Sequence, residues 1–210
     1  YRMSLISRDW LTNVGLPALI FLIWLGVLFQ KAEIFDKLNQ RPTGEHFWAQ
    51  TDRASMALAY HTDKASFWLP RCHRAKRGEE GISAGEFPII PYVVSKMYDA
   101  WGFNELYYRG FVLFLSLIGF LMAYLLMAKL LNSHWWASLV VSLWLASPNI
   151  IFYSFSFLPD LPSLSFSVIA LYFLVRKDDG LTPSAILLFS FFAAISGLLK
   201  LTGLIVTFSA

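Results

Sequence analysis

Four ionisable residues stand where apolar sequence meets polar sequence: Asp52, Glu86, Asp160 and Lys200. Carboxylates and an ammonium so placed can act as a general base, hold a cation or hold an anion, because partial removal from water tunes their charge states. Each also has a plain structural role open to it. Asp52, next to Arg53, can be a solvated charge on the polar face of a helix. Glu86, in Gly85-Glu86-Phe87-Pro88, can be a negative charge at a helix N-terminus. Asp160, between Pro159 and Leu161-Pro162, can cap the helix that follows. An ionisable residue at the mouth of an apolar span is nonetheless a functional candidate by default. Lys200 is the basic residue within the last apolar stretch, where insertion costs ~2.5–3.5 kcal/mol, so it must snorkel, pair or hold an anion.

The elements that would carry these groups are those of a membrane protein. Of 210 residues, 57% are hydrophobic and 15% charged, against about 25% charged in soluble domains. The mean hydropathy is +0.54. Aromatics make up 17% of the chain, with 8 Trp, 9 Tyr and 19 Phe, a composition suited to interfacial belts and apolar packing. A net charge of +3 does not suggest nucleic acid, and the single Cys72 can form no internal disulfide.

Five apolar segments are read as transmembrane helices: 13–30, 110–131, 135–155, 161–176 and 184–209. Most approach the roughly 20 residues that cross a bilayer; the fourth is short. The first carries no small-residue cleavage site and is expected to remain as a signal anchor. The last ends without polar flanking residues, so the chain is expected to be the N-terminal part of something longer. Arg2, Arg8, Lys129, Arg176 and Lys177 fall on one side if the N-terminus is cytoplasmic, which puts the loop 31–109 outside. Within that loop, His46–Tyr60 and Pro91–Trp101 mix apolar and polar residues at helical spacing and are expected to lie along the interface. Arg71–Gly85, charged and glycine-bearing, is expected to be a mobile loop. The fold class is therefore an all-α integral membrane protein.

Several chemistries lack their signatures. There is no phosphate-binding glycine loop and no dinucleotide fingerprint. His46, His61, His73 and His134 show no metal-ligand spacing. No nucleophile elbow surrounds any serine.

Taken in order, Thr51-Asp52-Arg53, Glu86-Phe87-Pro88-Ile89-Ile90-Pro91-Tyr92, Gly102-Phe103-Asn104-Glu105 with Arg109, Leu158-Pro159-Asp160, and Gly197-Leu198-Leu199-Lys200-Leu201-Thr202-Gly203 carry a resemblance. The chain resembles, over roughly Trp10 to Ala210, the N-terminal half of polyprenyl-phosphate-dependent glycosyltransferases of the GT-C fold. The nearest likeness is to the family 39 group of protein O-mannosyltransferases and aminoarabinose transferases. That resemblance implies an inverting transfer of a sugar from a polyprenyl phosphate to an acceptor hydroxyl at the outer membrane face. Asp52 would be the general base. Lys200 would hold the donor phosphate as negative charge develops on it. Glu86 and Asp160 would orient the acceptor or bind a divalent metal cation, whose preference is for oxygen ligands. The acceptor would be a lipid, a glycan or a protein. The location implied is a bacterial inner (plasma) membrane, with the site facing the periplasm or exterior.

Two other classes compete. A multi-span transporter would use Asp160 and Lys200 to line a path, but it predicts charges in several spans and needs no elaborate outer loop. A non-catalytic membrane scaffold or accessory subunit needs no site at all.

Overall fold

The computed structural model describes residues 10–73, 81–83, 85–175 and 182–208. Among these the chain is helical, and an isolated antiparallel bridge pairs Arg71 with Ile82. Residues 74–80 and 84, the centre of the loop expected to be mobile, lie outside the described residues, as do Arg2, Arg8, Arg176 and Lys177 from the orientation argument.

Helix α1, Leu11–Lys31, opens on a π-helical turn, Leu11–Gly15, directly before the turn holding Pro17. A wider turn relieves the clash between the proline ring and the carbonyl four residues back. A four-residue helix α2, Ile34–Lys37, follows. The loop 31–109 then folds into α3, Phe47–Thr62, and α4, Ile89–Trp101. Helix α5, Glu105–Leu130, is the longest. It is followed by α6 (His134–Leu145), α7 (Pro148–Ser154), α8 (Asp160–Val175), α9 (Pro183–Leu199) and α10 (Leu201–Phe208).

Two helices, α1 and α5, are long and apolar enough to cross a membrane, and the pair α6–α7 makes a third if counted as one broken span. The two remaining long apolar helices, α8 and α9, have 16 and 17 residues. The apolar stretch 135–155 is not one straight helix: α6 and α7 meet at 80°. The break falls at Ser147, whose extended backbone is what a following proline requires. The stretch 184–209 is likewise interrupted, at Lys200, where the backbone is extended (φ −159°, ψ 126°).

The connection between α4 and α5 explains one quoted motif. Gly102 ends α4 at φ +85°, a conformation that side chains disfavour. Asn104 then caps α5, its side chain accepting from Leu106 N at 2.8 Å. Gly102-Phe103-Asn104-Glu105 is thus a helix stop followed at once by a helix start.

Helix α8 packs against α5 on one side and α9 on the other. At the α5–α8 contact, a Cβ on Gly119 would fall on Ser165. Helices α3 and α4 pack on each other as an outer layer. That layer is joined to the bundle by one apolar cluster: Ala57, Ile90, Val94 and Tyr98 from the layer, Tyr108 and Val112 from α5, Phe157, and Leu199 at the end of α9. Each large side chain buried there contributes roughly 1.5–3 kcal/mol. The cluster therefore fixes the layer against the start of α8 and the break at Lys200.

Candidate functional site

The segment leading into α8 is held by two residues from elsewhere in the chain. Arg109, 4% exposed, donates from Nε to Gln40 O (2.8 Å), from Nη2 to Arg41 O (3.0 Å) and from Nη1 to Phe155 O (3.1 Å). Its guanidinium also lies over the Phe157 ring, 4.6 Å from the centroid. Gln50, fully buried, donates to Thr43 O and Glu45 O, and its Oε1 accepts from Phe157 N at 3.4 Å. These contacts tie residues 40–45 to residues 155–157 and place Asp160 as the first residue of α8.

The Asp160 carboxylate is paired with the Lys200 ammonium. Lys200 reaches it because α9 stops one residue earlier. Serine hydroxyls tie α8 to the residues around this break, adding to backbone bonds such as Lys200 N to Ser196 O (3.0 Å) and Gly203 N to Lys200 O (2.9 Å). Ser163 Oγ donates to Ser196 O (2.9 Å) and Ser167 Oγ to Gly203 O (2.8 Å), while Ser196 Oγ donates to Ser163 O (2.8 Å). Gly203 fits between them; a Cβ there would meet Ser163 and Ser196. The fifth apolar segment is thus two helices set around a charge, and Lys200 is ion-paired rather than snorkelling.

Glu86 is ion-paired with Arg53, the residue after Asp52. Glu86 Oε2 faces the guanidinium but takes no hydrogen bond from any described group. The next residue, Phe87, donates its N–H to Leu198 O at 3.1 Å, two residues before Lys200. Arg53, Glu86, Tyr108, Pro159 and Leu199 line one small space. The structure therefore brings Glu86 to the residues flanking Asp160 and Lys200. Beside Glu86 a larger groove of about 680 Å³ opens along Phe67–Pro70, Phe87, Leu198 and Leu201.

Asp52 faces elsewhere. Thr51, Asp52 and Ser55 line a separate cavity of about 420 Å³ with Trp48, His73, Phe103 and Glu105. One residue of helix turns a side chain by about 100°, enough to send Asp52 and Arg53 to different spaces. The backbone there is pinned: Cys72 Sγ contacts Asp52 O at 3.3 Å, and His73 N donates to Ser55 Oγ at 2.7 Å. Glu105 stands across from α3, and its Oε2 is buried with no hydrogen-bond partner among the described residues.

Two further features of the layer set its electrostatics. Asp99 meets Lys64 (2.9 Å), His61 (2.7 Å) and Lys96 (3.3 Å), and these hydrogen bonds hold its carboxyl far below the usual carboxylate range. The Tyr60 phenol donates to Phe67 O at 3.1 Å, and burial pushes its pKa up to about 12.

Among the described residues no three His, Cys, Asp or Glu side chains converge on a point that a metal ion could occupy. Glu86 and Asp160 each face a cation of the chain instead.

Sequence patterns did not single out Arg53, Gln50 or the serine set. Gln50 lies in no motif, and its role depends on residues 107 positions away. Ser163, Ser167 and Ser196 were legible only as polar interruptions of apolar helices; their four-residue spacing on α8 was the available signal. No protein-family model, no curated protein and no solved structure matches the chain.

Proposed function

We propose that this chain belongs to a membrane glycosyltransferase that moves a sugar from a polyprenyl-phosphate donor to an acceptor hydroxyl at the outer face of the membrane. In this reading all five apolar segments lie within the bilayer, the third and fifth as broken spans. The observation that carries the reading is that the Arg53–Glu86 pair lies against Pro159 and Leu199, the neighbours of the paired Asp160 and Lys200, where the outer layer joins the apolar helices. A phosphate with a lipid tail needs cations at the lip of the bilayer and apolar surface beside them. Lys200 and Arg53 are such cations, and the groove past Leu198 and Leu201 is such a surface.

The roles follow from chemistry. Lys200 offers its ammonium to the donor phosphate, and Asp160, paired with it, keeps it oriented until the donor arrives. Charge-assisted contacts of this kind strengthen where water is scarce. Asp52 takes the proton from the acceptor hydroxyl as its oxygen attacks the anomeric carbon. The bond to the lipid phosphate breaks on the opposite side, so the configuration inverts. The phosphate leaves as an anion and needs no protonation.

The test is transfer itself. Membranes holding the protein are incubated with labelled polyprenyl-phosphate sugars, and label is followed to acceptor. Lys200→Met should raise the donor concentration needed for half-maximal rate at saturating acceptor. Label that crosses the membrane without changing its covalent partner would replace this reading with the transporter.

A further inference from the structure

The cavity on the Asp52 side of α3 has a lining that speaks to its ligand. Its volume, about 420 Å³, falls in the roughly 300–1,000 Å³ range of small-molecule sites. Trp48 and Phe103, 67% and 51% exposed, present aromatic faces at its rim. Thr51 and Ser55 bring hydroxyls, Asp52 and Glu105 carboxylates. Glu105 Oε2 is a buried acceptor with no donor among the described residues, and an acceptor left unpaired costs more than a typical hydrogen bond returns. A ligand O–H would satisfy it.

Charge narrows the class. Arg41 and Arg109 lie within electrostatic reach of Glu105, so the carboxylates do not make a simple anionic trap for an ammonium ion. An anionic ligand would meet two carboxylates in the wall. What fits is a neutral molecule with many hydroxyl donors on its edge and C–H groups on its face. The edge suits the carboxylates, and the face suits an indole or phenyl ring.

We propose that this cavity binds a neutral carbohydrate, its ring against Trp48 and Phe103 and its hydroxyls on Glu105 and Asp52. The proposal rests on the glycosyltransferase reading only in making this sugar the acceptor; the binding claim stands without it. A hydroxyl held by Asp52 is then the one that gives up its proton.

Binding is measured without any donor, on the full chain in nanodiscs free of glycoside detergents. The probes are maltose, cellobiose and N,N′-diacetylchitobiose, read by saturation-transfer NMR and by titration of tryptophan fluorescence. Glucose 1-phosphate and a serine-containing peptide are the comparisons. At least one neutral disaccharide should bind saturably, at least about tenfold tighter than the sugar phosphate. Glu105→Gln and Trp48→Ala should each weaken it about tenfold, with helicity unchanged. The Tyr124 hydroxyl meets His134 Nδ1 (3.1 Å) towards the other end of α5 and does not line the cavity, so Tyr124→Phe should leave binding as it was. No saturable binding by any of the three saccharides, tighter binding of the peptide, insensitivity to both wall variants, or loss on Tyr124→Phe equal to that on Glu105→Gln would each overturn the proposal. Saccharide binding without sugar transfer would refute the enzyme reading alone, and transfer to a non-carbohydrate acceptor would refute only the bound sugar's role as acceptor.

Discussion

Where the outer layer meets the bundle, polar groups sit on long side chains that reach across the sequence: Gln50 of α3 to Phe157, Arg109 of α5 to Gln40 and Arg41, Arg53 of α3 to Glu86. In the bundle of α8, α9 and α10, they sit on serines pressed against backbone, with Gly203 making the room. Both arrangements satisfy buried polar atoms. They differ in slack. A long side chain has rotamers to spare and can follow a ligand, whereas a serine packed on a glycine has nowhere to go. The layer is thus built to hold and adjust chemistry, and the bundle to fix the break from which Lys200 projects.

Four experiments break or sharpen that contrast. The largest effect is expected in the layer and only on function. Asp52→Asn should lower sugar transfer by about 10²–10⁴-fold, because the amide keeps the shape but cannot accept the proton. Thermal unfolding in detergent should not change. Transfer within twofold of the parent would take the base role from Asp52.

The next effect is on stability and belongs to the bundle. Gly119→Ala places a methyl on Ser165, and the Ser165 Cα lies only 2.9 Å from that position. Overpacking of this kind should cost about 1–3 kcal/mol, read as a lower unfolding midpoint. Adding Ser165→Gly should restore only part of the loss, because backbone as well as side chain is in the way. Full tolerance of Gly119→Ala would mean that the bundle has the slack the layer was credited with.

The junction between the two regions comes third. Lys200→Met leaves Asp160 without its partner, and Asp160→Asn leaves Lys200 so. Each single change should cost roughly 1–2 kcal/mol, between the values for exposed and fully buried pairs. The double variant should recover most of it, since no lone charge remains. Additive losses would show that the pair does not couple.

The smallest effect is a pH response confined to the layer. Burial raises the folded-state pKa of Tyr60 to about 12, from the ordinary tyrosine value of 10.0. A neutral phenol is therefore part of the native state. Its contribution is complete below pH 10 and is lost as pH rises from 10 towards 12. Hydrogen exchange at residues 65–69 should speed up over that window before α5 or α8 responds, and Tyr60→Phe should remove this tyrosine's share of the pH dependence.

How much of this was in the sequence varies by element. The two layer helices were legible at 46–60 and 91–101, close to the observed Phe47–Thr62 and Ile89–Trp101, because amphipathic spacing is a local property. The bend at Ser147 was locally encoded by Pro148 but hidden in a continuous apolar run. The interruption at Lys200 has no proline to announce it. It is held by α8, whose Ser163 and Ser167 hydroxyls, 33 and 36 residues earlier, donate to the Ser196 and Gly203 carbonyls.

The sequence by itself determined that this chain is helical and apolar enough to belong in a membrane, and which few charges it carries at the edges of its apolar runs. Those follow from composition and from periods of a few residues. Only the tertiary structure decided that Glu86 comes to the residues flanking the Asp160–Lys200 pair while Asp52 lines a different cavity. Adjacent residues of a helix diverge by about 100°. Residues more than a hundred positions apart converge only through packing and hydrogen bonds such as those of Gln50 with Phe157.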